Sequence, residues 1–221
     1  MGMNKKRIAQ RQREEAQAKK REKNQRIAKV TSIITVAAII VAVFTAAIIY
    51  YILNSRVYYA DIQIQDYGTI TIQLDRKAAP KTCKNFINLA ESGFYDGLTF
   101  HRIIEGFMMQ GGDPNGNGSG GSGKNLEGEF EINGWMKNDI SHTAGVISMA
   151  RSEDYDSASS QFFICHKDST HLDKQYAAFG HVVSGMDIVD TICTTVKPSG
   201  GNGLVAKDQQ PVITTITIYY K

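Results

Sequence analysis

The residues best suited to chemistry lie in one run, Phe100-His101-Arg102-Ile103-Ile104-Glu105-Gly106-Phe107-Met108-Met109-Gln110-Gly111-Gly112-Asp113. A cation (Arg102), two large apolar groups (Phe107 and Met108) and an amide (Gln110) fall within nine residues of it. That set suits a cleft that grips an apolar ligand while donating hydrogen bonds to it. Read as a strand, the run puts Arg102 and Ile104 on one face and His101 and Ile103 on the other, and Gly106 permits a bend before Phe107. Taken alone, it reads more simply as an edge strand with a snorkelling Arg beside core Phe and Met.

Other chemistries find little support. His101, His142, His166, His171 and His181 show no H-E-x-x-H or comparable ligand spacing, so no metal site is expected. No G-x-S-x-G elbow is present for a serine hydrolase. Gly118 to Lys124 fits G-x-x-x-x-G-K, but Asn125 stands where a phosphate loop needs Ser or Thr, and no apolar strand leads into it. Asp154 and Asp156 lack the Gly and distal Glu of a calcium loop and read as a solvated acidic turn. Cys83, Cys165 and Cys193 are too few and too scattered for a disulfide framework and read as buried small hydrophobes.

The elements around the run are legible from their periods. Asp61 to Gln65 and Thr69 to Leu74 alternate apolar and polar residues about Asp66-Tyr67-Gly68, a hairpin pattern. Pro80 suits a first helical turn, Cys83, Phe86, Ile87 and Ala90 make one apolar face, and Gly93 can end the helix. After a loop rich in Gly, Asn and Ser, strands are expected over 145–150, 160–165 and 176–183, a second short helix around Met186 to Cys193, and a last strand over 212–220. On the strand at 160–165, Gln161, Phe163 and Cys165 share one face and Phe162 and Ile164 the other; composition does not say which is the core. Roughly eight strands and two helices suggest a mainly β fold, a closed antiparallel barrel with a helix over each open end.

The N-terminal quarter is different. Of 25 Lys or Arg and 22 Asp or Glu in 221 residues, residues 1–29 hold 11 and 3, leaving 14 and 19 for the rest. The overall charge of +3 therefore hides a basic arm on an acidic body. Val30 to Leu53 then carries no charge over 24 positions, enough helix to cross a hydrocarbon core of about 30 Å. The expected organisation is a basic cytoplasmic tail (1–29), a transmembrane helix (30–53), a linker (54–57) and a folded domain outside the membrane (58–221). Neither a short apolar region nor a small-residue cleavage site marks a cleaved leader, so a retained single-pass anchor in the cell membrane is expected. The arm is read as topogenic, drawn to anionic headgroups, with no nucleic-acid partner.

Four segments carry a family resemblance. Phe-His-Arg-Ile-Ile-x-x-Phe-Met-x-Gln-Gly-Gly-Asp at 100–113, Gly-x-x-Ser-Met-Ala at 145–150, Ser-Gln-Phe-Phe-Ile at 160–164, and Leu-Asp with Phe-Gly at 172–173 and 179–180 resemble cyclophilins over about Tyr58 to Tyr220. The resemblance implies an eight-stranded barrel capped by two helices and peptidyl-prolyl cis/trans isomerase activity on proline-containing polypeptides, with no cofactor and a monomeric catalytic domain. It implies catalytic roles for Arg102, Gln110 and Phe107. Phe107, Met108, Phe163 and Leu172 would hold the proline ring, and His101, Ala150, Arg151, Gln161, His171 and Tyr176 would stand around the groove. His101 reads equally as a structural imidazole. Arg151 stands where many relatives carry Asn, His171 where many carry Trp, and Tyr176 where many carry His, exchanges that alter the rim and remove the indole contact for ciclosporin. The expectation is a membrane-anchored bacterial isomerase, from a single-membrane cell, that assists exported or surface proteins. A tethered, non-catalytic proline-peptide binder or holdase is the alternative.

Overall fold

The computed structural model describes residues 2–221, with nothing said of the side chains of residues 2–6, 9, 53 and 54. Met1 of the expected tail and the side chain of Leu53 at the end of the expected span thus lie outside the described residues. Two compact units result, Met1–Arg56 and Val57–Lys221.

The first unit is one helix, α1 (Gly2–Ser55), 54 residues long. It runs without a break through the junction between charged and apolar sequence. Its described side chains are exposed throughout, Ile33, Phe44 and Tyr51 among them. The hydroxyls of Thr31, Thr35 and Thr45 each bond back to a carbonyl three or four residues earlier. Polar atoms inside the apolar stretch are thereby satisfied within the helix itself.

The second unit is the expected barrel. The hairpin appears as β1 (Tyr58–Ile64) and β2 (Gly68–Leu74), in register from Tyr58↔Leu74 to Ile64↔Gly68. Its alternation is that of a half-buried strand, with Ala60, Ile62 and Ile64 inward on β1 and Ile70, Ile72 and Leu74 inward on β2. Next come α2 (Pro80–Glu91), β3 (Thr99–Ile104), β4 (Met108–Asp113), β5 (Val146–Met149), β6 (Phe162–Cys165), β7 (Ala178–Ser184), α3 (Met186–Thr195) and β8 (Ile213–Tyr220). The sheet order is β3-β4-β6-β5-β7-β2-β1-β8, antiparallel throughout.

The two ends of this sheet meet. Thr99 bridges Val212, and Phe100 N–H donates to Pro211 O at 2.9 Å while Ile213 N–H donates to Leu98 O at 2.7 Å. Closure satisfies backbone groups that an open edge would leave for another chain. Gly180 lets β7 approach β2: a Cβ there would lie 2.4 Å from Gln73 O.

Inside, Phe86 of α2 packs on Tyr95, Phe162 and Phe179 with ring centroids 5.2 to 5.6 Å apart. Tyr95 is fully buried, and its hydroxyl donates to Ser160 O at 3.1 Å. All three cysteines are free and buried, and Cys83 donates to Phe179 O at 3.4 Å. Phe86 joins α2 to Phe162 and Phe179 of the sheet and to Tyr95 of the turn after the helix, so Phe86→Ala is expected to cost about 3–5 kcal/mol and lower Tm by roughly 10 °C. Thermal melting followed by near-ultraviolet circular dichroism measures this; a shift within about 2 °C would show that α2 does not depend on that contact.

Candidate active site

The cleft is built on the outer face of the barrel wall. Along β6, Phe162 and Ile164 enter the main core, whereas Phe163 and Cys165 face a smaller cluster with Met108, Val146, Leu172 and Ala178. On β4, Met109 goes to the core and Met108 to the smaller cluster. Pairing Gln110↔Phe163 and Met108↔Cys165 then sets the amide and the thioether along the same wall. Gly106, at φ 80°, turns the chain between β3 and β4 so that Phe107 closes one end.

Nine of the twelve expected site residues line one cleft of ≈ 200 Å³: Arg102, Phe107, Met108, Gln110, Ala150, Arg151, Phe163, Leu172 and Tyr176. Gln161 lines a second, polar pocket beside it, sharing Gln110, Ala150 and Arg151 with the first. His171 is exposed, with its ring 5.6 Å from that of Phe107.

His101 lies off the groove where the resemblance would put it, in keeping with the other reading of it as a structural imidazole. It is 0% exposed, with neither ring nitrogen hydrogen-bonded, and lines neither pocket. Alternation along β3 puts it with buried Ile103, opposite Arg102 and Ile104, and a bulge where the register passes from Phe100↔Gly111 to Arg102↔Gln110 lets Phe100 be buried beside it. His101 turns inward and Arg102 remains on the cleft side.

Arg102 is held from two directions. Its Nε donates to Asn202 O at 2.7 Å, and Nη1 donates to Gln110 Oε1 at 3.2 Å and lies 3.7 Å from Met108 Sδ. Nη2 has no hydrogen-bond partner among the described residues. The guanidinium carbon is 6.0 Å from the centre of the Phe107 ring. Burial moves Arg102 below its ordinary pKa, yet a guanidinium stays charged.

The amide orientations follow from the network. Gln161 Nε2 donates to Gly118 O at 3.1 Å and Gly120 O at 2.8 Å, and carbonyls only accept. Gln161 Oε1 therefore faces Gln110, whose Nε2 donates to it at 2.8 Å, and Gln110 Oε1 is left for Arg102. The Gly-rich loop that supplies those carbonyls is itself folded about Asp113, which accepts N–H bonds from Asn115, Asn117 and Gly118. A chain of bonds thus runs from that loop to the guanidinium.

Nothing in the sequence marks Asn202 as the residue that holds Arg102. Asn202 sits at φ 60°, and it is its backbone carbonyl that binds, a group every residue carries, so no side-chain signature exists to find. Nor does the spacing of the sequence mark the buttress behind Phe163. His142 stacks on that ring at 6.1 Å, with Nδ1 3.0 Å from Asp173 Oδ1 and Nε2 3.1 Å from Ser148 Oγ. The order Asp-His-Ser resembles a nucleophilic triad, but Ser148 and His142 are 0% exposed, so no substrate carbonyl reaches the hydroxyl. Desolvation raises the thiols of Cys165 and Cys193 to about 12, which removes them as nucleophiles too. Among the described residues no His, Cys, Asp or Glu cluster could hold a metal. The arrangement offers an anchored cation beside an apolar cavity.

A family model described as cyclophilin type peptidyl-prolyl cis-trans isomerase matches residues 59–218. Peptidyl-prolyl cis-trans isomerase B of Bacillus subtilis is 45% identical over 124 residues, 56% of this chain and 82% of the relative. A peptidyl-prolyl cis-trans isomerase of Synechococcus elongatus is 48% identical over 113 residues, 51% of this chain and 72% of the relative. Among solved structures, a Cryptosporidium parvum cyclophilin crystallised in the presence of the dipeptide Ala-Pro superposes with a TM-score of 0.63 at 31% identity, covering 73% of this chain and 98% of that one. The chain belongs to the cyclophilin-type peptidyl-prolyl cis-trans isomerases. It is an enzyme of that class, with the eight-stranded fold its relatives share.

The buried imidazoles give the domain a pH dependence. Burial holds both His101 and His142 below the ordinary 6.5, with Asp113 and Asp173 respectively opposing that shift. Below about 6.5 the unfolded chain therefore binds protons that the folded one refuses, so stability is lost as pH falls. The lowered carboxylates Asp113 and Asp173 act with the same sign, but only from their ordinary 3.8 downwards. The urea midpoint is expected to be lower at pH 5 than at pH 7, and His101→Phe should narrow the gap. An equal gap in both proteins would show that His101 does not contribute.

Proposed function

We propose that Arg102 is the catalytic group and that it works without moving a proton. Rotation about an X-Pro bond is slow because nitrogen shares its lone pair with the carbonyl, a barrier of about 18–20 kcal/mol for a peptide bond. In the twisted state the lone pair returns to nitrogen. A donor aimed there stabilises the twisted state more than the planar one, which is what acceleration requires. The observation that carries this reading is the double tether of Arg102 through Nε and Nη1, which fixes a charged donor at the cleft and leaves Nη2 unengaged.

In this reading Phe107, Met108, Phe163 and Leu172 seat the proline ring, Gln110 orients Arg102, and Gln161 orients Gln110. Ala150, Arg151, His171 and Tyr176 shape the surrounding surface, and His101 supports it from within. Arg102→Ala is expected to lower kcat/KM on a proline tetrapeptide about 100-fold, the scale of losing one transition-state donor, with the fold retained. Arg102→Lys should not restore it, because an ammonium cannot make the two tethering bonds and still donate in a fixed plane. A rate unchanged in Arg102→Ala sinks the mechanism, and a wild-type chain that binds but does not accelerate would be the tethered binder.

We further propose that α1 anchors a bacterial enzyme to the cell membrane, with residues 1–29 cytoplasmic and the barrel outside, where exported proteins fold. Among the described residues α1 is the helix long and apolar enough to cross a membrane. The charge asymmetry about residues 30–53 supports the orientation. A client chain with a slow X-Pro step would then meet the isomerase as it leaves the membrane. Protease added to intact spheroplasts should digest an unfolded reporter fused after Lys221. Protection of the reporter would overturn the orientation, and a mature chain lacking residues 1–53 would overturn the anchor.

A further inference from the structure

Arg151 borders both the apolar cleft and the polar pocket of ≈ 240 Å³ beside it. Its guanidinium is fixed in place. Nε and Nη2 donate to Gln175 O at 3.2 and 3.0 Å, and Nη1 donates to Ser152 O at 2.8 Å. The rings of Tyr176, Tyr155 and Phe130 lie 4.6, 4.8 and 5.3 Å from its Cζ. Arg151 and Tyr176 are thus in contact with each other.

These bonds orient the charge without cancelling it. Every acceptor is a neutral carbonyl, and among the described residues no carboxylate pairs with Arg151 or with Arg102. The nearby acids are engaged elsewhere: Asp156 accepts from Gly128 N–H and Asn133 Nδ2, and Glu153 offers Arg151 only its backbone carbonyl, at 3.4 Å. The two cavities are lined by two arginines and no Asp or Glu. This positive spot lies in a domain where acidic residues outnumber basic ones, since residues 30–221 carry 19 against 14. The polar pocket's other lining, Ser119, Ser152, Ser157, Ser159 and Gln161 among it, can solvate an anion and offers little to an apolar side chain.

We propose that Arg151 is a specificity-determining residue that favours proline peptides carrying a carboxylate side chain close to the proline. The inference rests on the reading of the cleft as the proline site. A fixed cation attracts Glu or Asp and repels Lys at the same position. Because the guanidinium is already ordered, the peptide supplies the only side chain that must be immobilised.

The test uses the full-length chain in non-ionic detergent and a set of proline peptides with Glu, Gln or Lys placed in turn at each position flanking proline. At one or more positions kcat/KM for Glu should exceed that for Lys about fivefold, the size of a screened ion pair gained plus a repulsion avoided. Arg151→Gln should at least halve the ratio, and Arg151→Lys should keep most of it. In the wild-type enzyme the ratio should fall towards one as salt rises from tens of millimolar to about 1 M, where screening acts within about 3 Å. A ratio near one at every position, or one that Arg151→Gln leaves unchanged, overturns the proposal. If Arg151→Gln does not fold, the salt series decides, and a salt-insensitive ratio overturns it. Failure to isomerise any peptide would instead strike the proline-site reading itself.

Discussion

The barrel wall is one strand thick, and everything at the cleft depends on that. A strand sends successive side chains to opposite faces, so each residue of β4 and β6 that fills the core obliges its neighbour to stand on the outside. Phe162 completes the aromatic cluster under α2, and Phe163 is thereby committed to the cleft; Met109 and Met108 divide in the same way. Core packing and cleft shape are therefore not independent. A shift of β6 by one residue would exchange the two phenylalanines and destroy both at once.

The same economy governs polar groups. Arg102 is oriented by a backbone carbonyl on one side and by a chain of two amides on the other, the second ending on carbonyls of a loop that Asp113 folds. No carboxylate takes part, so the guanidinium is positioned while its charge remains available. A carboxylate partner would have oriented it as well and weakened its field at the cavity.

Much of this was legible in the chain. The hairpin, the apolar face of α2 and the final strand follow from periods of 2 and 3.6 that burial of one face imposes, and Gly106 and Gly93 mark turns that need positive φ. Two kinds of feature were not legible. Which face of β6 meets the core depends on α2 supplying Phe86 from 76 residues earlier, a tertiary fact. The burial of Phe100 and His101 side by side depends on a bulge, and a single extra residue breaks an alternation without altering composition. Nor could motif spacing show that Arg151 and Tyr176, 25 residues apart, are stacked.

One consequence of the strand order concerns force. α1 joins the barrel through β1, which is not at either end of the sheet order but lies between β2 and β8, paired with each over seven positions. Val57 and Lys221 exchange two further bonds at the seam, at 3.1 and 3.0 Å. A pull arriving along α1 is therefore shared by two ladders from their first rung and cannot peel away a free edge. A domain joined in this way resists mechanical unfolding by a pull applied through its N-terminal helix.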